Sequence, residues 1–129
     1  HLFPMERYFE IAMPHNPFVQ SGRVGSIMTS RGCPEHCYFC TSPDYTGTAF
    51  RSMSPKRVYD QVKKLVEDYS VKELQILDDN FTVNSKRVIE IMNLIKKFKL
   101  RITSKTSGKK LDVNFRMKQK YRKPNEELI

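Results

Sequence analysis

The sequence predicts an α/β fold in which strands and helices alternate around a parallel sheet. Short apolar segments of strand length alternate with longer segments whose apolar residues recur at helical spacing. The order is strand, helix, strand, helix, strand, and polar clusters directly follow the first two strands. This order requires right-handed crossovers in either an open layered sheet or the start of a barrel. The 129 residues provide one domain or part of one.

The first predicted strand is residues 24–29. Residues 1–23 contain several prolines among scattered aromatic residues, a pattern typical of an extended linker, here expected to lead from an upstream domain. The strand is followed by Ser30-Arg31-Gly32, where glycine permits a sharp change of direction. A loop that carries all three cysteines of the chain begins at this point.

The first helix is predicted to begin at Ser54-Pro55, because serine caps a helix N-terminus and proline is favoured at the first helical position. Its apolar stripe consists of Val58, Val62, Leu65, Val66 and Tyr69. The second predicted strand, residues 71–77, ends at the polar cluster Asp78-Asp79-Asn80. This acidic cluster therefore lies at the carboxyl end of a strand.

The second helix is predicted to be capped by Asn84 or Ser85, and the third strand is residues 100–103. The apolar stripe of this helix is Val88, Ile91, Met92, Ile95 and Phe98. Residues 24–104 thus form the predicted strand and helix unit. Residues 105–129 are a basic tail, predicted as a short amphipathic strand or as disorder, with disorder favoured.

Composition restricts the classes of function. No run of about 18 apolar residues occurs, so no membrane span is predicted. The net charge is +9, but residues 105–129 hold eight Lys or Arg against three Asp or Glu, which favours a solvated basic tail over nucleic-acid binding. Three cysteines this close together make poor structural disulfides, which favours a metal or cluster role in a reducing cytoplasm.

The thiols of Cys33, Cys37 and Cys40 are spaced by four and then three residues, so one curled loop can present all of them together. Soft thiolates select iron-sulfur clusters, zinc or copper(I). Structural zinc requires four ligands, and His36 is adjacent to a cysteine and poorly placed to be the fourth. Ferredoxin-type clusters require a fourth cysteine, which this chain lacks. A 4Fe-4S cluster held by three cysteines, with one iron open to an outside ligand, is favoured over zinc.

This spacing, with aromatic Phe39 just before the last cysteine, resembles the signature of the radical S-adenosylmethionine (SAM) superfamily. Residues 51–55 (RSMSP) and residues 75–82 (QILDDNFT) are similar to the cobalamin-associated branch of that superfamily. The resemblance covers roughly residues 1–100. It implies a partial TIM-like (β/α) barrel, shortened after about the third strand.

The resemblance further implies that SAM chelates the open iron and is reductively cleaved to a 5′-deoxyadenosyl radical. By the family pattern, Asp78 and Asp79 receive the amino group of the cofactor, and charge-assisted hydrogen bonds suit carboxylates to that role. Phe39 is expected either to contact adenine or to pack under the loop. The implied partner is an external electron donor of the flavodoxin or ferredoxin type. Cobalamin is expected only in the full-length protein, and no catalytic residue is assigned to this portion.

Only about two and a half of the six or more strand and helix units of the family barrel are recognisable, so the substrate cannot be inferred. The shortened chain is expected to be part of a radical SAM enzyme. Two alternatives remain open at this stage. One is a zinc-stabilised basic module that binds nucleic acid, and the other is a catalytically inert radical SAM remnant.

Overall fold

The computed structural model describes residues 4–11, 21–104 and 110–111. The helices are α1 (Met5–Ile11), α2 (Ser42–Thr46), α3 (Pro55–Tyr69) and α4 (Ser85–Ile95), the last continued by a 3₁₀ turn (Lys96–Phe98). The strands are β1 (Val24–Ile27), β2 (Ser30–Arg31), β3 (Arg51–Ser52), β4 (Glu73–Ile76), β5 (Arg101–Ser104) and β6 (Lys110–Leu111).

The main sheet has the strand order β1-β4-β5-β6. Strands β1, β4 and β5 are parallel neighbours, and their last residues Ile27, Ile76 and Ser104 lie in register. Helix α3 lies on the connection from β1 to β4, and helix α4 connects β4 to β5. The predicted α/β class with a parallel sheet is confirmed.

Both crossover helices begin at capping residues predicted from the sequence. The hydroxyl of Ser54 accepts a hydrogen bond from the N–H of Arg57 at 3.3 Å, and Pro55 occupies the first turn of α3. The side-chain oxygen of Asn84 accepts from the N–H of Arg87 at 3.0 Å. Asn84, rather than Ser85, is therefore the cap of α4.

The core lies between the two crossover helices and one face of the sheet. Strand β4 is its central element, because all four of its residues are buried. Leu74 and Ile76 face the helices. The remaining core residues are Ile27, Val58, Val62, Phe81, Val88, Ile91, Ile95, Leu100 and Ile102. The predicted helical stripes thus cover the sheet, although Tyr69 of the first stripe lies outside this cluster.

Helices α1 and α2 and the short strands β2 and β3 were not predicted from the sequence, whereas a short strand was one of the two alternatives for the tail. Residues 5–11 of the predicted extended linker form α1, because no proline or glycine interrupts them. A carboxylate of this helix, that of Glu6, forms an ion pair with Arg23 at 2.7 Å. Helix α2 lies within the predicted polar loop, and β6, in the predicted tail, pairs antiparallel with β5. The rest of the tail lies outside the described residues.

Within the part of the chain that the structure describes, no helix has the length and apolar character needed to cross a bilayer.

Candidate functional site

The cysteine loop, residues 32–50, has a closed base. Strands β2 and β3 pair antiparallel on either side of it, with Ser30 opposite Ser52 and Arg31 opposite Arg51. The N–H of Met53 donates to the carbonyl of Thr29 at 2.9 Å and extends this closure by one bond. The two ends of the loop therefore meet directly after β1, in a separate two-stranded sheet.

Gly32 begins the loop in a conformation that only glycine fits. Its φ angle is 84°, and a Cβ at this position would lie 2.2 Å from the carbonyl oxygen of Ala49. The next N–H, that of Cys33, donates to the carbonyl of Gly47 at 3.2 Å. The predicted change of direction at Gly32 is confirmed, and close packing of the two loop ends explains why a side chain is excluded there.

The three cysteines lie on this loop as free thiols. Cys33 and Cys40 are partly buried and Cys37 is exposed, and the N–H of Cys40 donates to the carbonyl of Cys37 at 3.0 Å. Across the described residues, no three Cys, His, Asp or Glu side chains are placed to hold a single metal ion. Three thiols on one loop are the donor set of a 4Fe-4S cluster with one open iron, whereas structural zinc would require a fourth ligand.

The base of the loop is positively charged. Arg31, Arg51 and Arg57 line an open cleft of about 660 Å³ beside Met53. The guanidinium of Arg51 donates to the carbonyl of Thr46 at 3.1 Å. Among the described residues, no carboxylate forms an ion pair with any of these three arginines. Arg31 and Arg51 flank the two ends of the cysteine loop, and positive charge there would favour a thiolate-bound cluster of negative charge.

Asp78, predicted to receive the cofactor amino group, is fully buried at the end of β4. Its Oδ1 accepts from the N–H of Thr29 at 2.5 Å. Its Oδ2 accepts from the hydroxyls of Thr29 and Ser30 at 2.6 and 2.5 Å. The carboxylate thus joins the end of β4 to the base of the cysteine loop, and both of its oxygens have partners inside the protein.

Thr29 and Arg87 support the same junction and were not predicted from the sequence. The carbonyl of Thr29 accepts a second bond at 2.9 Å, from the guanidinium of Arg87. Nε of Arg87 donates to the carbonyl of Met53, also at 2.9 Å. Burial lowers the pKa of Arg87, and the negative charge of Asp78 opposes that shift. An arginine three residues after a helix cap gave no sequence signal that it would be buried.

Asn80 is the residue of the Asp78-Asp79-Asn80 cluster whose side chain contacts a cysteine. Its Nδ2 lies 3.9 Å from the Sγ of Cys33. Its Oδ1 accepts from the N–H and the hydroxyl of Thr82, at 3.3 and 3.1 Å. The predicted meeting of the cysteine loop and the Asp78-Asp79-Asn80 cluster at one sheet edge is therefore found, although the sequence reasoning assigned no role to Asn80.

The other two predicted cofactor-binding residues, Asp79 and Phe39, differ in exposure. Asp79 is partly buried. Phe39 is 77% exposed and contacts the fully exposed Tyr38 edge to face, with ring centroids 5.4 Å apart. Of the two expectations for Phe39, packing under the loop is therefore not observed.

The family follows from a comparison with known proteins. Residues 27–124 match the model of the Radical SAM superfamily. The chain belongs to the radical SAM superfamily. The matched region begins at the end of β1 and includes the cysteine loop, both crossover helices and β5. The mixed α/β structure with its parallel sheet is consistent with part of the radical SAM fold.

Several relatives of this radical SAM chain are methyltransferases. It is 38% identical over 96 residues to cytidylyl-2-hydroxyethylphosphonate methyltransferase of Streptomyces wedmorensis, covering 74% of this chain and 18% of that protein. It is 38% identical over 108 residues to an uncharacterized methyltransferase of Pyrococcus horikoshii, covering 84% and 22%. The hopanoid C-2 methylase of Rhodopseudomonas palustris is 30% identical over 69 residues, covering 54% and 13%. The chain thus spans about a fifth of the length of the first two relatives.

Proposed function

We propose that Cys33, Cys37 and Cys40 hold a 4Fe-4S cluster and that the chain binds SAM at the open iron, as the cofactor-binding part of a radical SAM methyltransferase. One observation carries this proposal. The three free thiols lie on a loop whose base is closed at the same sheet edge as the polar end of β4. This edge is the carboxyl end of parallel strands, where folds of this class place their chemistry.

The bound cluster would supply one electron for reductive cleavage of SAM to methionine and a 5′-deoxyadenosyl radical. The residues of this chain would bind and orient the two cofactors. Asp79 would accept hydrogen bonds from the amino group of SAM, and the exposed ring of Phe39 would stack on adenine. Asp78 would fix the base of the loop, since its oxygens are taken up by Thr29 and Ser30.

Methyl transfer is proposed because the relatives described above are named as methyltransferases or a methylase. Their named substrates differ. The likeness of residues 51–55 and 75–82 to the cobalamin-associated branch supports cobalamin as a second cofactor of the whole protein. A flavodoxin or ferredoxin in the cytoplasm is the proposed source of the electron.

The cluster is tested by anaerobic reconstitution of the protein with iron and sulfide. We expect about four irons per chain and an electron paramagnetic resonance (EPR) signal of the reduced cluster that changes when SAM is added. Replacing Cys37 by serine should abolish this signal, whereas His36→Ala should retain it. Stoichiometric zinc without a cluster, lost in His36→Ala, would instead support a zinc-stabilised module.

Turnover is tested separately on the reconstituted protein with dithionite as reductant. Release of 5′-deoxyadenosine would support a catalytically competent cofactor site. A fully assembled cluster that changes its EPR signal with SAM but releases none would limit the proposal to binding, as expected of an inert remnant.

A further inference from the structure

We infer that Asn80 is a positioning residue that donates a hydrogen bond to the cluster-bound sulfur of Cys33 and thereby raises the reduction potential of the cluster. This inference rests on the proposed 4Fe-4S site. It adds a role for a residue outside the three cysteines and the predicted SAM contacts. The polar end of β4 would then act on the cluster itself as well as on SAM.

The orientation of the Asn80 amide is fixed by its neighbours. Oδ1 accepts two hydrogen bonds from Thr82, one from the backbone N–H at 3.3 Å and one from the hydroxyl at 3.1 Å. The backbone N–H of Thr82 can only donate, so the oxygen of Asn80 faces it and the NH₂ group faces away. That NH₂ group is the part of Asn80 that lies 3.9 Å from the Sγ of Cys33.

The contact joins two segments that are held together independently. On the side of Asn80, the carboxylate of Asp78 is bonded to Thr29 and Ser30. On the side of Cys33, the backbone N–H is bonded to the carbonyl of Gly47. The bonds of Asp78 thus hold the start of the cysteine loop beside the segment that carries Asn80, and the bond from Cys33 to Gly47 closes the loop directly after that start.

Of the three cysteines, Cys33 has the only side-chain donor to sulfur in the described part of the chain. Hydrogen bonds to the sulfurs of a cluster are among the factors that set its reduction potential. An N–H donor stabilises the more negative, reduced state more than the oxidised state, because the extra electron raises the charge on sulfur. Removing the donor should therefore make the potential more negative.

The test compares the reduction potentials of reconstituted variants by EPR-monitored titration. Asn80→Ser is neutral and too short to reach Cys33, but its hydroxyl can still accept from the N–H of Thr82. At a fixed solution potential, we expect the ratio of reduced to oxidised cluster to fall by about threefold to tenfold. For a one-electron couple, a tenfold change corresponds to about 59 mV. Thr82→Ser keeps the hydroxyl bonded to Asn80 and should change the ratio by less than about twofold.

Asn80→Asp provides a second variant, because its carboxylate keeps both bonds from Thr82 while removing the donor. It should shift the potential in the same direction as Asn80→Ser, and further, because of its negative charge. An assembled cluster with an unchanged potential in Asn80→Ser would overturn the inference.

The contact itself is tested without a cluster by nuclear magnetic resonance of the metal-free protein. Replacing Cys33 by alanine should shift the side-chain amide resonances of Asn80, whereas Cys37→Ala should not. Equal shifts in the two variants, or none in either, would contradict the contact. Failure of the wild-type protein to assemble a cluster would count against the proposed function, and this measurement would still decide whether Asn80 and Cys33 interact.

Discussion

Asp78 and Thr29 are joined by two hydrogen bonds, one to each carboxylate oxygen. The N–H of Thr29 lies 2.5 Å from Oδ1, and its hydroxyl lies 2.6 Å from Oδ2. Thr29 follows β1 and Asp78 follows β4, so the pair connects the carboxyl ends of two neighbouring strands. An acidic residue after a strand, typical of a ligand-binding position, is here part of the framework that holds the cysteine loop.

Asp78→Asn should destabilise the protein. The substitution keeps the shape of the side chain but replaces one acceptor oxygen by an NH₂ group, which would face the donors of Thr29 or Ser30. We expect a loss of about 2–4 kcal/mol in the free energy of unfolding, because buried donors of Thr29 and Ser30 lose their charged acceptor. Urea denaturation monitored by circular dichroism would measure it, and an unchanged midpoint would contradict this role.

Asp79→Asn should weaken SAM binding while leaving the stability of the protein nearly unchanged. Loss of the charge-assisted bond proposed between Asp79 and the SAM amino group should weaken SAM binding to the reconstituted protein by about tenfold or more. The unfolding free energy should change by less than about 1 kcal/mol, since Asp79 is only partly buried. Isothermal titration under anaerobic conditions measures the affinity. If Asp78→Asn and Asp79→Asn lowered stability equally, the two carboxylates would not have the distinct roles assigned here.

Gly32→Ala should disrupt the cysteine loop more than Gly47→Ala. Both glycines have a positive φ, 84° and 78°, so both substitutions introduce backbone strain of about 1–3 kcal/mol. Only Gly32 also faces a backbone atom, the Ala49 oxygen 2.2 Å from the added Cβ, whereas nothing lies within 4 Å at Gly47. We expect iron incorporation to be lost in Gly32→Ala and largely kept in Gly47→Ala. Equal incorporation in the two variants would argue against the tight loop base.

Arg87→Met should destabilise the junction by about 2–4 kcal/mol, since it removes two donated bonds and the positive charge that interacts with the buried carboxylate of Asp78. Arg87→Lys should cost less, because it keeps the charge, but one ammonium group does not reproduce the two-pronged contact with Thr29 and Met53. The exposed neighbour Lys86 offers a matched control, and Lys86→Met should change the unfolding free energy by no more than about 0.5 kcal/mol. Thermal or urea denaturation would rank the three variants.

The elements set by local sequence were predicted well. Ser54 and Asn84 cap their helices as expected, because a cap needs only a side-chain acceptor and an N–H three residues later. The parallel order of β1, β4 and β5 followed from their alternation with helices. Helix α1 was missed, because prolines and aromatic residues around it pointed to an extended chain.

The contacts that build the site were not predictable in the same way. Thr29 and Arg87 are 58 residues apart, and Cys33 and Asn80 are 47 residues apart. Periodicity and capping patterns depend on neighbours within a few positions, so they contain no information about which distant partner a side chain meets. Topology placed the cysteine loop and Asp78 at one edge of the sheet, but the direction of each carboxylate and amide depended on packing.

Because β2 pairs with β3, the length of the cysteine loop can change without changing the geometry of the sheet. Because Thr29 and Met53 are bonded directly, β1 and α3 keep their separation whatever path residues 32–50 take. Insertions or deletions near the exposed Tyr45 would therefore alter what lies above the cysteines without changing the strands beneath them. The residues around the cysteines can thus vary while the strands that carry the loop keep the same structure.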